Sequence, residues 1–472
     1  MWVSVFEGFL STPEMLQVFH PTAVVQAMMD FEAALVRAQG RVGVIPPAAA
    51  QAIAGLCRAE LYDVGALVAA SASAGSLAKP VVQKITETVA LFDPVAAGFV
   101  EWGGGSQDMA DTAMVLLTRR ALRLIDEDVL SLSELLLDLA DANPASPVLA
   151  RTSLQPNQVS SLRFRVIGWL QPLLRAAQAL RHSADSALLL QFGGEVGTLS
   201  ALGDHADAVT AALADELRLT APDVPWHTQR DRWVRLGSEL GVLCGSLGKL
   251  ARDVSLLLQA EIGEFAEPVA APSGLPDGFS GDGGRRPAAA TKLGATGCMQ
   301  ALAAAQRVPQ RVATLLTCMT QEHERSLGGW QAEQAEWSGL LLQAHGSVRA
   351  MLQAMQVLQV VPSRMRRNIE GQHDLVFSEA LVHLLAPLLG RQDAQSLVAG
   401  LCARVAAGEA PLRVLAGQLP TMGDRLQGRL SATALDAAFD VHRAAVLADT
   451  RVANALVTAR EQWASLIDQP HW

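Results

Sequence analysis

Apolar residues recur along most of the chain at the three-to-four-residue spacing of amphipathic helices, and the alternating pattern typical of strands is scarce. One long helix is predicted over residues 107–142, with Ser106 as its N-cap and its end at Asn143. Asp108 and Asp111 lie in its first turn, where the helix dipole favours carboxylates. The pattern predicts an all-α fold built on very long helices.

A second long helix is predicted over residues 232–261. Its apolar residues recur at steps of four and three, as in a helix packed along its length in a bundle: Leu236, Leu240, Leu243, Leu247, Leu250, Val254 and Leu257. Gly241, Gly245 and Gly248 each cost about 1 kcal/mol of helix propensity against Ala. We expect these glycines to let neighbouring helices approach closely.

A third long helical stretch starts near Gly297, with breaks predicted at Pro309 and around Gly328. From about Pro362 to the end, shorter helices are predicted, with turns at Gly390 and Gly408. Residues 268–297 are rich in Pro, Gly, Ala and Ser and have no apolar period. A loop of this length between two long helices is predicted to be mobile or functional.

Composition narrows the class of protein. The length of 472 residues suggests about two to four domains, and no run of about 18 apolar residues is free of charge, so no membrane span is predicted. The N-terminus lacks a basic region and a small-residue cleavage site, so no signal peptide is predicted. These features together favour a cytoplasmic protein.

Charge and cysteine spacing exclude several partners. The net charge is −10 and no basic stripe is present, which argues against nucleic acid. The five cysteines are widely spaced, without a C-x-x-C pair or Cys/His cluster, so reduced and buried thiols are expected rather than zinc or disulfides: Cys57, Cys244, Cys298, Cys318 and Cys402. Nucleotide-binding glycine motifs are absent, so neither a cofactor nor a metal is predicted.

Several segments together resemble the fumarase/aspartase superfamily, and among its branches the 3-carboxy-cis,cis-muconate cycloisomerases. Residues 102–112 (WGGGSQDMADT) are similar to the family motif G-A-T-S-Q-D-x-x-D-T, and residues 151–155 (RTSLQ) to R-T-x-L-Q. Further similar segments follow in family order: 9–15, 28–35, 62–67, 75–80, 190–194, 225–232, 245–249, 321–326 and 365–368.

The resemblance implies three helical domains, at residues 1–100, 101–355 and 356–472, with the loop 268–297 inside the central bundle. It also implies a homotetramer in which each active site draws on three chains. The family removes a proton next to a carboxylate, or runs the reverse addition, so the site needs donors around that carboxylate and a base. The cycloisomerase branch adds a carboxylate across a diene and forms a lactone.

The family's base is a serine on a loop reading roughly G-S-S-x-M-P-x-K-x-N-P, and this chain departs from it. Aligning Lys292 with the loop lysine places the serine pair on Arg286-Pro287 or Arg285-Arg286. The nearest serine is Ser280, which is the candidate for a displaced base; a solvated loop serine is the alternative.

Other positions depart from the family pattern as well. Gly105 replaces the Thr of T-S-Q-D, and Ser153 and Pro156 replace histidines that family members carry. Ser76-Leu77 stands where the family has Asn-Ser, and Glu101 replaces a histidine, which makes Glu101 a further candidate base.

The resemblance assigns roles to residues of the matched segments. Ser106 and His323 are candidate catalytic residues beside Ser280. The candidate substrate-binding residues are Gln107, Gln155, Arg230, Arg285, Arg286 and Lys292. The alternatives are solvated charges for the loop residues, packing for His323, and ion pairs with Asp231 and nearby carboxylates for Arg230 and Arg232.

Three functions are compatible with this pattern. The first is a lyase or cycloisomerase acting on a small polycarboxylate. The second is a redirected, biosynthetic enzyme of the superfamily with a base other than serine. The third is a non-catalytic homologue that serves as a scaffold or regulator.

Overall fold

The computed structural model describes residues 5–267, 295–419, 426 and 429–469. Nearly all of the regular structure is helical, as predicted. The first helices, which precede the long bundle, are α1 Val5–Gly8, α2 Pro13–Val18, α3 Pro21–Val42, α4 Pro47–Leu56, α5 Val64–Ala74, α6 Ala78–Ala90 and α7 Pro94–Ala97.

Long helices form the centre of the molecule: α8 Ser106–Ala142, α9 Leu162–Ala187, the shorter α10 Ala206–Leu217, α11 Asp231–Leu257, α12 Thr296–Thr317 and α13 Gly329–Val357. The C-terminal part contains α14 Pro362–Glu370, α15 Ser378–Leu389, α16 Arg391–Ala406, α17 Leu412–Gly417, α18 Ala432–Ala438 and α19 Val441–Asp468. Short 3₁₀ turns occur at Ala59–Leu61, Ser200–His205 and Leu375–Phe377.

Two small antiparallel pairs interrupt the helices. Strands β1 Pro147–Thr152 and β2 Gln155–Ser161 form a hairpin, and β3 Phe265–Ala266 pairs with β4 Gln359–Val360. The hairpin turn holds Ser153 and Leu154, whose φ angles are 50° and 65°. Such a turn favours Asn-Gly, so the sequence carried no signal for this hairpin.

The predicted leucine seam of α11 lies in the largest hydrophobic cluster, which joins α8, α9, α11, α12 and α13. Stacked indoles of Trp233 and Trp337, with ring centroids 4.0 Å apart, tie α11 to α13. The C-terminal helix α19 also contributes buried residues to this cluster. Two further clusters form the N-terminal and C-terminal cores, and the predicted domain limits stay a prediction.

The close approach expected at the glycines of α11 is confirmed at two of them. A Cβ on Gly248 would lie 2.5 Å from the Cβ of Ala305, and one on Gly241 would lie 3.0 Å from Val312. No such approach occurs at Gly245 within the chain, where an added Cβ would meet open space. The glycine spacing on α11 therefore accommodates α12 along one face of the helix.

The break predicted at Pro309 is also wrong, because α12 continues through this residue from Thr296 to Thr317. Packing against α11 and α13 outweighs the lost hydrogen bond. Most of the predicted loop 268–297 lies outside the described residues, but Thr296 and Gly297 already belong to α12. Within the described ranges, no helix is long and apolar enough to cross a membrane.

Candidate active site

Four of the segments singled out in the sequence meet at the N-terminus of α8. They are residues 102–112, 190–194, 225–232 and 321–326. Gly105 is the N-cap of α8 and Ser106 is its first residue, so the prediction of Ser106 as N-cap is wrong. The cap hydrogen bond instead runs from the Gly105 N–H to Asp108 Oδ2, at 3.1 Å.

Asp108 is wholly buried at the centre of this meeting point. Its Oδ1 accepts the Gly193 N–H at 3.1 Å and His227 Nε2 at 2.6 Å, while its Oδ2 also accepts the Gly194 N–H at 2.8 Å. One carboxylate thus holds the start of α8, the glycine pair and His227 together. Because both oxygens are engaged, the role of Asp108 is to build the site rather than to bind a ligand.

Gln107 is fixed in a single orientation by its neighbours. Its Nε2 donates to Asp111 Oδ2 at 3.1 Å and to the His227 carbonyl at 2.9 Å, and its Oε1 accepts Arg325 Nη1 at 2.7 Å. Arg325 also donates to the Gly194 carbonyl at 2.7 Å. The substrate-binding role of Gln107 stays a prediction.

Arg230 lies buried between two carboxylates. Its Nη1 donates to Asp111 Oδ2 at 2.8 Å and its Nε to Glu333 Oε2 at 3.0 Å. Burial disfavours the charged guanidinium, but Asp111 and Glu333 outweigh burial and raise the pKa of Arg230. Arg230 therefore forms the buried ion pairs that were the alternative to substrate binding, and its partners are Asp111 and Glu333 rather than Asp231. A direct contact between Arg230 and substrate stays a prediction.

His323 and Ser106 lie at the rim of this region. His323 is exposed, has a φ of 44°, and its carbonyl accepts the Thr228 hydroxyl at 3.1 Å. Ser106 is half-buried at the first turn of α8, where free backbone N–H groups favour an anion. Their catalytic roles stay predictions.

Gln155 lies elsewhere in the chain. It is exposed at the start of β2, in the hairpin that follows the C-terminal end of α8. Because α8 has 37 residues, its two ends are about 55 Å apart. The single chain therefore does not bring Gln155 to the group around Ser106 and Gln107.

The hairpin borders a cavity of about 800 Å³. Arg151, Lys249 and Asn368, which come from three of the matched segments, contribute to its lining. Beside it, the buried Glu264 accepts Arg151 Nη2 and Asn368 Nδ2, both at 2.9 Å. Seven of the matched segments thus form two groups, one at each end of α8.

The remaining predicted residues, Ser280, Arg285, Arg286 and Lys292, lie outside the described residues. Their roles stay predictions. Sequence reasoning missed the contributions of His227, of Arg325 and of Glu32, which accepts the Glu101 N–H at 2.8 Å. Each belongs to a segment that had been singled out. The signal that would have found them is the spatial convergence of those segments, which a pattern along one chain does not contain.

Comparison with known proteins decides the family. A model of a lyase family matches residues 10–274, which is more than half of the chain. The chain belongs to this lyase family. This match and the relatives described next confirm the predicted fumarase/aspartase superfamily and the enzyme class of lyase or cycloisomerase. The helices of the structure and its solved neighbour confirm the all-α fold.

The alignments of this lyase with its relatives extend over most of the chain. It is 42% identical over 423 residues to 3-carboxy-cis,cis-muconate cycloisomerase of Pseudomonas aeruginosa, covering 90% of each chain. It is 39% identical over 431 residues to the enzyme of that name from Pseudomonas putida, covering 91% of this chain and 99% of the relative. The crystal structure of the 3-carboxy-cis,cis-muconate lactonizing enzyme from Pseudomonas putida superposes with a TM-score of 0.86 at 38% identity, over 97% and 99% of the two chains.

Proposed function

We propose that this lyase is a cycloisomerase that acts on 3-carboxy-cis,cis-muconate or a very similar small polycarboxylate. The observation that carries the proposal is the 42% identity to such a cycloisomerase over 90% of both chains. The helix N-terminus at Ser106 supports it, because oriented N–H groups are suited to a substrate carboxylate.

We further propose that the enzyme is a homotetramer with shared active sites. The two groups of matched segments, about 55 Å apart along the 37-residue α8, support this arrangement. A neighbouring chain in a tetramer would supply Gln155 to the group around Ser106, Gln107 and His323. Lys292, Arg285 and Arg286 would then act on the substrate carboxylates from the loop, and the enzyme would work in the cytoplasm.

The reaction adds a substrate carboxylate oxygen to the diene, so one C–O bond forms, one C=C π bond is lost, and an adjacent carbon gains a proton. The protein must orient the carboxylates and deliver that proton. Two groups are candidates for this proton transfer: Ser280, the proposed displaced serine of the loop, and Glu101 at the start of α8.

The test is turnover of 3-carboxy-cis,cis-muconate by the purified enzyme, followed as loss of the diene absorbance. Lactone formation is the expected result, and Ser280→Ala is assayed beside the wild type. Loss of turnover in Ser280→Ala would support the displaced serine, and full activity would remove it from the mechanism. No turnover by a folded wild-type tetramer would overturn the proposed substrate and favour the redirected enzyme or the non-catalytic homologue.

A further inference from the structure

The segment from Glu101 to Gly105, which leads into α8, is strained and tightly held. Glu101 has a φ of 56°, a conformation that costs a residue with a side chain about 1–3 kcal/mol and persists only where the surroundings impose it. The Glu101 N–H donates to Glu32 Oε1 at 2.8 Å, and the Glu101 carbonyl accepts the Gly104 N–H at 3.0 Å. Gln39, also buried, donates to the carbonyl of Trp102 at 2.5 Å.

These bonds place the Glu101 carboxyl beside the start of α8. The side chain is half-buried, and its Oε1 is inaccessible to water with no hydrogen-bond partner among the described residues. A buried carboxylate oxygen without a donor is costly when charged, whereas the protonated acid avoids most of that cost. The geometry thus favours a carboxyl that holds a proton.

Charged groups from five elements surround this carboxyl. Three are acidic side chains, namely Glu32 on α3, Asp108 on α8 and Glu195 after the glycine pair, and two are cations, Lys79 on α6 and Arg325 before α13. Burial, followed by the repulsion of Glu195 and Asp108, raises the pKa of Glu101 to about 7, and the two cations oppose this shift. Arg325 is the residue that also holds Gln107.

We propose that Glu101 is the catalytic acid that delivers the proton in the cycloisomerisation, and that Glu32 is the positioning residue that fixes its backbone. This inference rests on the proposed function and deepens it. As the carboxylate oxygen closes the lactone, the Glu101 proton passes to the adjacent carbon, and the resulting Glu101 carboxylate regains a proton from water. In the reverse direction the same carboxylate takes the proton.

The first test is the pH dependence of kcat. Because the acid must be protonated, kcat in the wild type falls as pH rises through about 7. Glu101→Gln lowers kcat by about 100- to 10 000-fold with little change in KM. The control Glu134→Gln, at an exposed position farther along α8, leaves both the rate and the profile unchanged.

Two further variants separate the acid from its support. Glu195→Gln removes a neighbouring negative charge, so the pKa of Glu101 falls and the alkaline limb of the profile moves to lower pH. Glu32→Gln can still accept the Glu101 N–H and keeps activity within a few-fold, whereas Glu32→Ala loses about tenfold or more. Equal activity of Glu32→Gln and Glu32→Ala would overturn the positioning role of Glu32.

Infrared difference spectra of wild type minus Glu101→Gln test the inference without turnover. A protonated carboxyl band that disappears around pH 7, in variants with unchanged circular dichroism, is the expected result. Absence of that band, or full activity of Glu101→Gln, would overturn the assignment. An inactive wild type that shows the band would instead overturn the proposed substrate alone.

Discussion

Two aspartates one helical turn apart have different roles at the scale of single residues. Asp108 accepts hydrogen bonds from three backbone N–H groups and contacts the ring nitrogen Nε2 of His227. Asp111 instead accepts hydrogen bonds from the guanidinium of Arg230 and the indole N–H of Trp330. The helix dipole accounts for neither set of contacts by itself. Both side chains are buried, so each needs its own partners.

The pairing of Arg230 leads to a stability prediction. Arg230→Met leaves Asp111 and Glu333 buried without their cation, and the free energy of unfolding falls by about 3–5 kcal/mol. Chemical denaturation at a fixed protein concentration measures this loss. Arg232→Met, at an exposed neighbouring position, changes stability by less than about 0.5 kcal/mol. Equal stability of the two variants would show that the buried ion pairs contribute nothing.

The buried Glu32 leads to a pH prediction. Burial raises its pKa from 4.5 to about 7, so the folded state binds the proton more tightly than the unfolded state. Below pH 4.5 the burial of Glu32 costs no stability, because the carboxyl is protonated in both the folded and the unfolded state. As the pH rises above 4.5, the free energy of unfolding falls by up to about 1.4 kcal/mol per pH unit, and this loss is complete above about pH 7.

Glu32→Gln removes the contribution of this carboxyl to the pH dependence. Thermal unfolding midpoints of the variant then fall less than those of the wild type as the pH rises from acidic to neutral. An unchanged slope in Glu32→Gln would mean that Glu32 titrates normally in the folded protein.

At the scale of elements, the contact between α11 and α12 depends on the absence of a side chain. Gly248 faces Ala305, and an added Cβ would lie 2.5 Å from the Cβ of Ala305. Because both Cβ atoms are attached directly to the backbone, a helix must shift to separate them.

We therefore expect Gly248→Ala to lower the free energy of unfolding by about 1–3 kcal/mol, despite the better helix propensity of Ala. Gly400→Ala in α16 is the matched control, since that glycine is exposed with open space around it. It gains up to about 1 kcal/mol from propensity alone. Urea denaturation measures both, and a stabilised Gly248→Ala would contradict the close approach of α11 and α12.

At the scale of the whole molecule, the length of α8 separates the two groups of matched segments. The outward side of α11 carries Val242, which is 59% exposed, and the open position Gly245. A second chain of the proposed tetramer would have room to pack against α11 at these two positions.

The proposed tetramer predicts the behaviour of two charge variants. Val242→Glu places a charge on this side of α11, so sedimentation velocity detects species smaller than the tetramer and kcat/KM falls with them. Leu91→Glu, at an exposed position of the N-terminal part, leaves assembly and activity unchanged. A monomeric wild type with full turnover would overturn the shared site.

The helices and the family were accessible from sequence because both depend on local patterns. The spacing of leucines marks α11, and the ordered motifs mark the superfamily, whatever the tertiary contacts are. Three features were not accessible from sequence. Packing against neighbouring helices outweighs the helix-breaking tendency of Pro309, and the turn at Ser153 and Leu154 lacks the residues that such turns favour. The open space at Gly245 depends on which side of α11 faces α12.

The candidate site likewise has features that the sequence predicts and features that only the folded structure shows. Motifs identified Gln107, Arg230 and His323 as candidates from residue type and order alone. Only the folded chain brings Asp108 to His227, Arg325 to Gln107, and Glu32 to the backbone of Glu101. These contacts join residues that are 69 to 218 positions apart in the chain, and their hydrogen bonds and desolvation arise only when folding removes water from between them.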